Sequence, residues 1–543
     1  MTSDLDGRYK IEISAGKYKL RFTAENYSET TVDEVVVVAG QSVEASTVLA
    51  NKANVTTMDV VEKVGAVAAT AEAALSERKL AGAVTDSISS EEIRSGIAST
   101  VAGALEKVTG VSIVEGGYVY VRGLGERYSA TMLNNALLPT TEPEKRVVPL
   151  DLFPANLIDN VKILKTYTPD LPGEFSGGLV QMTTVDFPSA KIFRFSTSVG
   201  FNTQTTFDSF LSHSGNSTDV FGFDRGSRSL PSAIPENTRL FPGNFTEQQF
   251  GDLGRSFDNN WQPTTIGSMR PSQSYNMVGG GTFGRFGIVG AISFNNKPQR
   301  YPEIQNYYRN AGNNVPILFT NYEDFRTNNE SARLGGVFNV AARLNATNKI
   351  TLRNTLTRDT DKETRFFSGY AGTIDSFVTD ERLRYIERGV LASSLEGEHA
   401  VTKLWNSLFH WQFTYSRSTR TEPDLREVVR GRDDNGQYVF LGRPESGLRF
   451  FNDLGDNIYE PQVDWSKPFY RGAVSGIFKA GFRGTLRRRD FAGRRFRFVP
   501  GRNTTILGLP SNELFAPANI APDRFQIREV TRGTDTYNAS MDV

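Results

Sequence analysis

The feature that most limits how this chain can fold is a period of two that recurs between residues 187 and 543. Phe193, Phe195, Thr197, Val199 and Phe201 fall on one face, and Arg194, Ser196, Ser198 and Gly200 on the other. Successive side chains of a strand point to opposite sides, whereas a helix would scatter these residues around its axis. Phe286, Ile288, Gly290, Ile292 and Phe294 repeat the pattern. Phe338, Val340, Ala342 and Leu344 are opposed by Val337, Asn339, Ala341 and Arg343. Ser407, Phe409, Trp411, Phe413 and Tyr415 oppose Asn406, His410, Gln412, Thr414 and Ser416. In the clearest case Phe478, Ala480, Phe482, Gly484 and Leu486 face away from Lys479, Arg483, Thr485, Arg487 and Arg489. One face needs lipid or a core. The other carries stacked cations and needs water. Alternation sustained over about ten residues is what a strand needs to cross a bilayer within a barrel.

The spacing of turns agrees. Gly284-Arg285, residues 346–348 and residues 400–403 are short connections, while residues 205–270, 298–327, 361–382, 421–458 and 491–534 read as long polar loops. Short turns at one end and long loops at the other are the two ends of a membrane barrel, and a soluble sandwich rarely needs loops of that length. The soluble alternative makes a contrary statement: its strand faces pack on one another and leave no lipid-facing band.

Composition removes other classes. With 61 basic and 61 acidic residues, nothing points to nucleic acid. There is no cysteine, so no disulfide or thiolate metal site forms. The three histidines, His213, His399 and His410, are too dispersed for a metal motif, and His410 on the polar face reads as hydrogen-bonded structure. No apolar run reaches the length of a membrane helix, a test that barrels evade. No nucleophile–base pair, carboxylate pair or phosphate loop stands out. The expectation is therefore no enzyme, no cofactor and no metal.

Ahead of the strands lie three shorter segments. Residues 1–50 read as a small β-module: Arg8 to Ile13, Tyr18 to Thr23, Val35 to Val38 and Val43 to Leu49 as strands, with a turn at residues 15–17. The run DGRYKIEISAGKYKLRFTAENYSE resembles the second half of the carboxypeptidase-regulatory-like domain, a β-sandwich. Residues 51–82 change character and read as a linker, with Ala66 to Leu80 rich in helix formers. Residues 83–186 read as a small α/β unit. Ser89 and Glu92 have capping-box spacing for a short helix over Glu91 to Ser95. Val101, Leu105 and Val108 make one helix face. Val111 to Val114 and Tyr118 to Arg122 flank Gly116-Gly117 as a hairpin, and Asn134-Asn135 is a turn signal. Phe153 to Asn160 reads as a helical turn; Val161 to Lys165 and Leu179 to Thr184 read as strands.

The runs ALEKVTGVSIVEGG, YVRGLGERYSATMLNN, PLDLFPANLIDNVKILKT and GEFSGGLVQMTT occur in that order. Together they closely resemble the plug domain of TonB-dependent outer-membrane receptors, and best a subgroup with the run Pro149 to Pro154. The matching plug positions include Arg122, Gly123, Gly125, Asn134, Gly177 and Gly178. The resemblance implies a mainly β protein: a β-sandwich fragment, a small α/β plug and an antiparallel transmembrane barrel. About nine strands are visible here, against about 22 in a plugged transporter barrel. The chain therefore reads as truncated at both ends, with no signal peptide at Met1.

The family resemblance also implies a location in the outer membrane of a Gram-negative bacterium, in contact with its lipid. There the chain would bind a scarce nutrient and be driven by TonB. A surface lipoprotein enters as a further partner. The extended segment Thr56, Thr57, Met58, Asp59, Val60 and Val61 lies where TonB would add a strand, with an ordinary linker as the plainer reading. Arg122, with Glu126 or Arg127, is a candidate for pairing with the barrel wall, or else within the plug. Arg483, Arg487 and Arg489 form an inward cationic stripe that pairs with plug carboxylates or attracts an anionic ligand. Trp405, Trp411 and Trp465 suit an interfacial girdle. An outer-membrane adhesion protein on the same scaffold is the alternative function.

Overall fold

The computed structural model describes residues 9–23, 30–37, 43, 45, 47, 84–89, 92–93, 100–114, 117–145, 148–168, 171–173, 177–185, 187, 191–312, 314–401, 404, 407–471 and 474–543. The candidate TonB segment 56–61, the linker 51–82, Trp405 and the side chain of Glu126 lie outside them.

At the N-terminus, β1 (Gly16–Phe22) pairs antiparallel with β2 (Thr30–Val37). Residues 9–14 form no strand, contrary to the reading of Arg8 to Ile13. Their alternation is local, and the described residues hold no neighbouring strand for them to pair with.

The second unit contains β3 (Thr85–Ser89), α1 (Val101–Leu105), β4 (Val111–Val114), β5 (Tyr118–Val121), β6 (Ser129–Leu133), β7 (Ala136–Leu137), β8 (Ile158–Leu164) and β9 (Gly178–Thr184). The five-stranded sheet runs β3-β8-β9-β6-β7, with β6 and β9 parallel and the other pairs antiparallel. β4 and β5 make the separate hairpin expected around Gly116-Gly117. The capping box forms: the Ser89 N–H donates to Glu92 at 2.9 Å and the Glu92 N–H donates to Ser89 Oγ at 3.3 Å. Residues 153–160 are not one helical turn. Two 3₁₀ turns, Leu150–Leu152 and Ala155–Leu157, precede a strand that already starts at Ile158. Pro149 and Pro154 each stand just before a turn, in extended backbone, and divide the segment.

The rest is one 13-stranded antiparallel sheet with a smaller ribbon beside it. In chain order come β10 (Ile192–Gly200), β11 (Phe210–Ser212), α2 (Glu247–Arg255), β12 (Thr264–Ile266), β13 (Ser272–Phe283), β14 (Phe286–Asn310), β15 (Pro316–Asn345) and β16 (Asn348–Ala371). They are followed by β17 (Ser376–Val401), β18 (Ser407–Arg432), β19 (Tyr438–Phe440), β20 (Leu448–Arg471), β21 (Val474–Arg483), β22 (Leu486–Pro500), α3 (Ser511–Leu514), β23 (Phe525–Glu529) and β24 (Thr536–Asp542). β11 and β12 form the ribbon. β21 and β22 share one line along β20, β23 and β24 share another along β22, and β19 only extends β18 at its tip. Counted by crossings rather than by pieces, the sheet has ten lines, close to the nine expected from sequence.

The expected long loops at 298–327, 361–382 and 421–458 are mostly strand. β14 reaches Asn310 before β15 starts at Pro316, β16 and β17 turn at residues 372–375, and β18 reaches Arg432 before β20 starts at Leu448. Charged residues stand on both faces of these extensions, so the alternation that marks a half-buried strand disappears while the backbone ladder continues. Residues 201–271 do form a long excursion.

The two faces of the sheet differ as the alternation requires. Phe193 is 72% exposed, Phe338 54% and Phe482 66%, whereas Asn339 is fully buried and Gln412 is 3% exposed. Ile288, Ile292, Leu352, Leu356, Leu391, Leu395 and Phe413 continue the open apolar face. Burying one such side chain is worth about 1.5–3 kcal/mol, so a band of them left bare is a costly surface to hold in water. A soluble sandwich would have covered it. Trp411 and Trp465 sit near the short-turn ends of β18 and β20, where interfacial aromatics belong. Among the described residues no helix is long and apolar enough to cross a membrane, which says nothing of strands.

Phe338→Arg in the middle of this band should cost about 2–4 kcal/mol in a refolding titration into lipid vesicles, whereas the same change at an exposed loop site such as Phe241 should cost less than about 1 kcal/mol.

Candidate functional site, the plug seated against the wall

The second unit packs on the face opposite the apolar band. Its core gathers Val101, Leu105, Val119, Val121, Phe153 and Val161, and two wall residues of β17, Val390 and Ala392, complete it. Close approach depends on glycine. A Cβ on Gly335 of β15 would lie 2.6 Å from Leu157 and 2.8 Å from Pro154, and one on Gly178 would lie 2.7 Å from Val121.

Polar ties surround this contact. The β6–β7 turn has Asn134 and Asn135 at positive φ, 49° and 65°, as an Asn-Asn hairpin turn requires. It presents its backbone to the wall. Gln412 donates to the Asn134 carbonyl at 2.8 Å, Arg483 to the Asn135 carbonyl at 2.8 Å, and the Leu137 N–H donates to Glu460 at 2.8 Å. Higher up, Ser418 donates to the Thr140 carbonyl at 2.6 Å, and Arg489 and Tyr537 both donate to the Pro143 carbonyl, at 2.9 and 2.7 Å.

Among the described residues an ion pair joins the two bodies. Glu142 of the plug receives Arg388 Nε at 3.0 Å, and Arg388 also reaches Asp361 at 2.7 Å and Asp359 at 3.3 Å. Asp359 is held in turn by Arg333 at 2.7 Å, and Asp361 by Asn329 at 2.8 Å. Arg388 thus stands between three carboxylates, one of which belongs to the plug.

The expected site residues fall as follows. Arg122 has positive φ, and its guanidinium donates to the Lys165 carbonyl at 3.2 Å, within the plug rather than across to the wall. Arg127 is exposed in a 3₁₀ turn. Gly123 has φ +75° in open space; Gly125 and Gly177 lie on the same bend, where Gly177 meets Leu124 and Tyr128. Arg483, Arg487 and Arg489 do stand together on the plug side. Their carboxylate partners, however, are the wall's own: Arg487 reaches Asp456 at 2.5 Å, Arg489 reaches it at 3.5 Å, and Arg483 reaches Glu460 at 3.5 Å. What Arg483 and Arg489 give the plug is hydrogen bonds to its carbonyls. The expectation of plug carboxylates failed because neighbouring strands already carry acids in register. Glu142 and Arg388 escaped sequence reading, since they lie 246 residues apart with no motif around them. His410 lies 3.6 Å from Asp464, and His399 contacts Asn348 at 2.6 Å and receives the Trp411 N–H at 3.0 Å. No group of His, Asp or Glu shaped for a metal occurs among the described residues.

The excursion 201–271 covers the other face of the strand tips. Pairing from Asn348 to Ala371 is unbroken, so Thr360, Lys362 and Thr364 share the outward face of Leu352 and Leu356. On them rest His213, bonded to Thr364 at 2.9 Å, and Asp219, 3.2 Å from Lys362. Arg228 clasps Asp219 at 2.6 Å and Asp224 at 2.5 Å over the ring of Tyr385. Further along, Phe257 and Trp261 join Phe451, Phe496, Phe498 and Phe515 in a buried aromatic cluster. Burial, then the charges of Lys362, Arg228 and Arg426, hold His213 well below the usual imidazole range.

A compact domain tied to one face of a strand wall whose other face is an open apolar band is the plan of a plugged barrel. Residues 76–179 match the family model described as the TonB-dependent receptor plug domain. The chain accordingly has the build of a TonB-dependent outer-membrane receptor, plug first and barrel strands after it. No curated protein matches the sequence. Among solved structures it is similar to the unliganded ferric citrate transporter FecA: 10% identity, 78% of this chain and 64% of that one, TM-score 0.29. It is also similar to BauA, the ferric preacinetobactin receptor of Acinetobacter baumannii: 10%, 85% and 68%, TM-score 0.34. A mutant of the ferric enterobactin receptor PfeA of Pseudomonas aeruginosa matches at 10%, 81% and 64%, TM-score 0.32. The chain thus spans about two thirds of the length of these proteins, and likenesses so distant carry nothing about the ligand.

Two outcomes are expected. Arg388→Met should destabilise the seated plug by about 3–5 kcal/mol, because it removes the buried cation that Glu142, Asp359 and Asp361 share, while Glu142→Gln should cost about 1 kcal/mol by removing a single tie; thermal unfolding in detergent separates them. For His213, the unfolded excursion takes up a proton that the packed one excludes. Stability is therefore complete above the ordinary value of 6.5 and is lost as pH falls below it. Hydrogen exchange across residues 205–229, corrected for intrinsic rate, should quicken between pH 7 and about 5, and His213→Gln should flatten the response.

Proposed function

We propose that this protein is an energy-coupled outer-membrane transporter that takes up a scarce nutrient of siderophore, glycan, peptide or cofactor type. The observation that carries the reading is how the plug is held. Its own core is apolar and continuous, whereas its seat combines small apolar contacts with a set of hydrogen bonds and, among the described residues, the Glu142–Arg388 ion pair. Each such bond is worth about 0.5–1.5 kcal/mol net, so a pull breaks them in succession while the plug's core holds together. TonB is the partner that would pull, on the extended segment Thr56 to Val61 ahead of the plug, by adding it as a strand to its own sheet. The stripe Arg483, Arg487 and Arg489 and the turn at Asn134 would then be the seat that is released. Residues 1–50 would be a regulatory-like β-module, residues 51–82 the tether, residues 83–186 the plug and residues 187–543 barrel. The aromatic, Tyr- and Asn-rich hairpin tips would hold the ligand, and a surface lipoprotein would be a further partner there.

Deletion of residues 56–61 should abolish uptake of a labelled panel of ferric siderophores, oligosaccharides and cobalamin, yet leave binding to whole cells unchanged. Unaltered uptake would remove the segment from the mechanism. Binding with no uptake in the intact protein would favour the adhesion alternative.

A further inference from the structure

On three neighbouring strands the open apolar face ends where the excursion 201–271 begins to cover it. On β14, Ile288 and Ile292 are exposed and Asn296 is buried. On β16, Leu352 and Leu356 give way to buried Thr360 and Thr364. On β17, Leu395 and Leu391 give way to buried Tyr385 and Leu383.

At that edge the excursion is fixed through its backbone. Asn296 donates to the Val220 carbonyl at 2.9 Å, and Arg358 donates to the Gly222 carbonyl at 2.6 Å. A Cβ on Gly222 would stand 2.8 Å from Thr360 Oγ1, so chain and wall touch there. The neighbouring aromatic side chains are left outside: Phe221 is 55% exposed and Phe223 37%. The Phe221 ring centroid lies 5.8 Å from that of Phe294, and the Arg358 guanidinium lies 4.6 Å over Phe223.

A second pair stands at the end of β10. Phe201 follows Phe193, Phe195 and Val199 in the same period of two, and its ring lies 6.1 Å from that of Phe207. Both rings are exposed. Phe207 has φ 63°, with its N–H donating to the Met269 carbonyl at 2.8 Å. A bulky side chain takes that conformation only under strain, and here the strained residue holds an aromatic ring that the protein leaves uncovered.

We infer that the excursion is a membrane-docking flap. Phe201, Phe207, Phe221 and Phe223 enter the outer leaflet of the bilayer around the strands, while His213, Asp219 and Arg228 hold the flap on the wall. The inference rests on the outer-membrane barrel reading. Lipid is the partner because these rings prolong the open apolar face of the strands. They do so at its border with charged residues, where an aromatic ring gains from both the acyl and the headgroup layers. Arg225, exposed two residues beyond Phe223, adds a cation suited to headgroup phosphates.

The chain has no cysteine, so single cysteines can be labelled cleanly. Phe207→Cys and Phe221→Cys, each carrying an uncharged nitrobenzoxadiazole label, test the flap. Phe338→Cys marks the open apolar face of the strands. Phe241→Cys marks an exposed ring elsewhere on the excursion, next to Leu240, whose N–H donates to Glu529. The full chain would be refolded into phosphatidylethanolamine–phosphatidylglycerol vesicles that carry a nitroxide on the acyl chain. Heat-shifted gel mobility would verify folding, and Phe201→Cys and Phe223→Cys would replace flap variants that fail it. Nitroxide quenching at 207 and 221 should fall within about two-fold of that at 338 and exceed that at 241 at least about five-fold, with aqueous iodide giving the reverse order. Nitroxide quenching at either flap site no greater than at 241, with 338 still quenched, overturns the docking and leaves the barrel intact. If iodide is also excluded there, protein rather than lipid covers the rings, and the docking again falls. Absence of nitroxide quenching at 338 overturns the barrel reading itself.

Discussion

The backbone ladder of the strands is the constraint on which the rest of this molecule depends. In lipid there is no water to satisfy an amide or carbonyl, so every strand must find a neighbour along its whole crossing. Once that ladder exists, each strand has two faces with different solvents. Phe338 and Leu344 lie on the open apolar face, and Asn339 and Val337, one residue away, point to the plug. A slip of one residue would exchange the two faces, which is why the pairings of β13–β18 run in long unbroken stretches.

The plug exploits the inner face in two ways. At Gly335 the wall has no side chain, and Leu157 and Pro154 reach the backbone. At Asn134, Asn135, Thr140 and Pro143 the plug offers carbonyls to side chains of β18, β21, β22 and β24. Most of the wall's carboxylates serve its own arginines, while Glu460 also accepts the plug's Leu137 N–H, so among the described residues the plug's seat is made of many weak ties and the Glu142–Arg388 pair. Such a seat is firm at rest and releasable in steps. The excursion 201–271 meanwhile spreads over the outward face of the strand tips, where the apolar band has ended and charge takes its place.

Much of this was legible before any coordinates. The alternation at Phe193–Phe201, Phe338–Leu344 and Phe478–Leu486, and the ordered runs around Gly123, Pro149 and Gly178, located both wall and plug. The loops were misread at 298–327, 361–382 and 421–458 because a strand with charges on both faces has no period to detect. The Arg483, Arg487 and Arg489 stripe was seen, but its acids, Asp456 and Glu460, sit on a neighbouring strand whose register the sequence does not display.

The sequence by itself therefore determined which residues form the alternating strands, because alternation is a local property, and which segment forms the plug, through ordered runs that resemble a known family. Only the tertiary structure decided that Glu142 meets Arg388, that Arg122 bonds within the plug, and that Gln412, Arg483 and Asn339 hold the plug's backbone carbonyls. Those contacts join residues tens to hundreds of positions apart, and they exist only because the sheet brings strand after strand past the same inner surface.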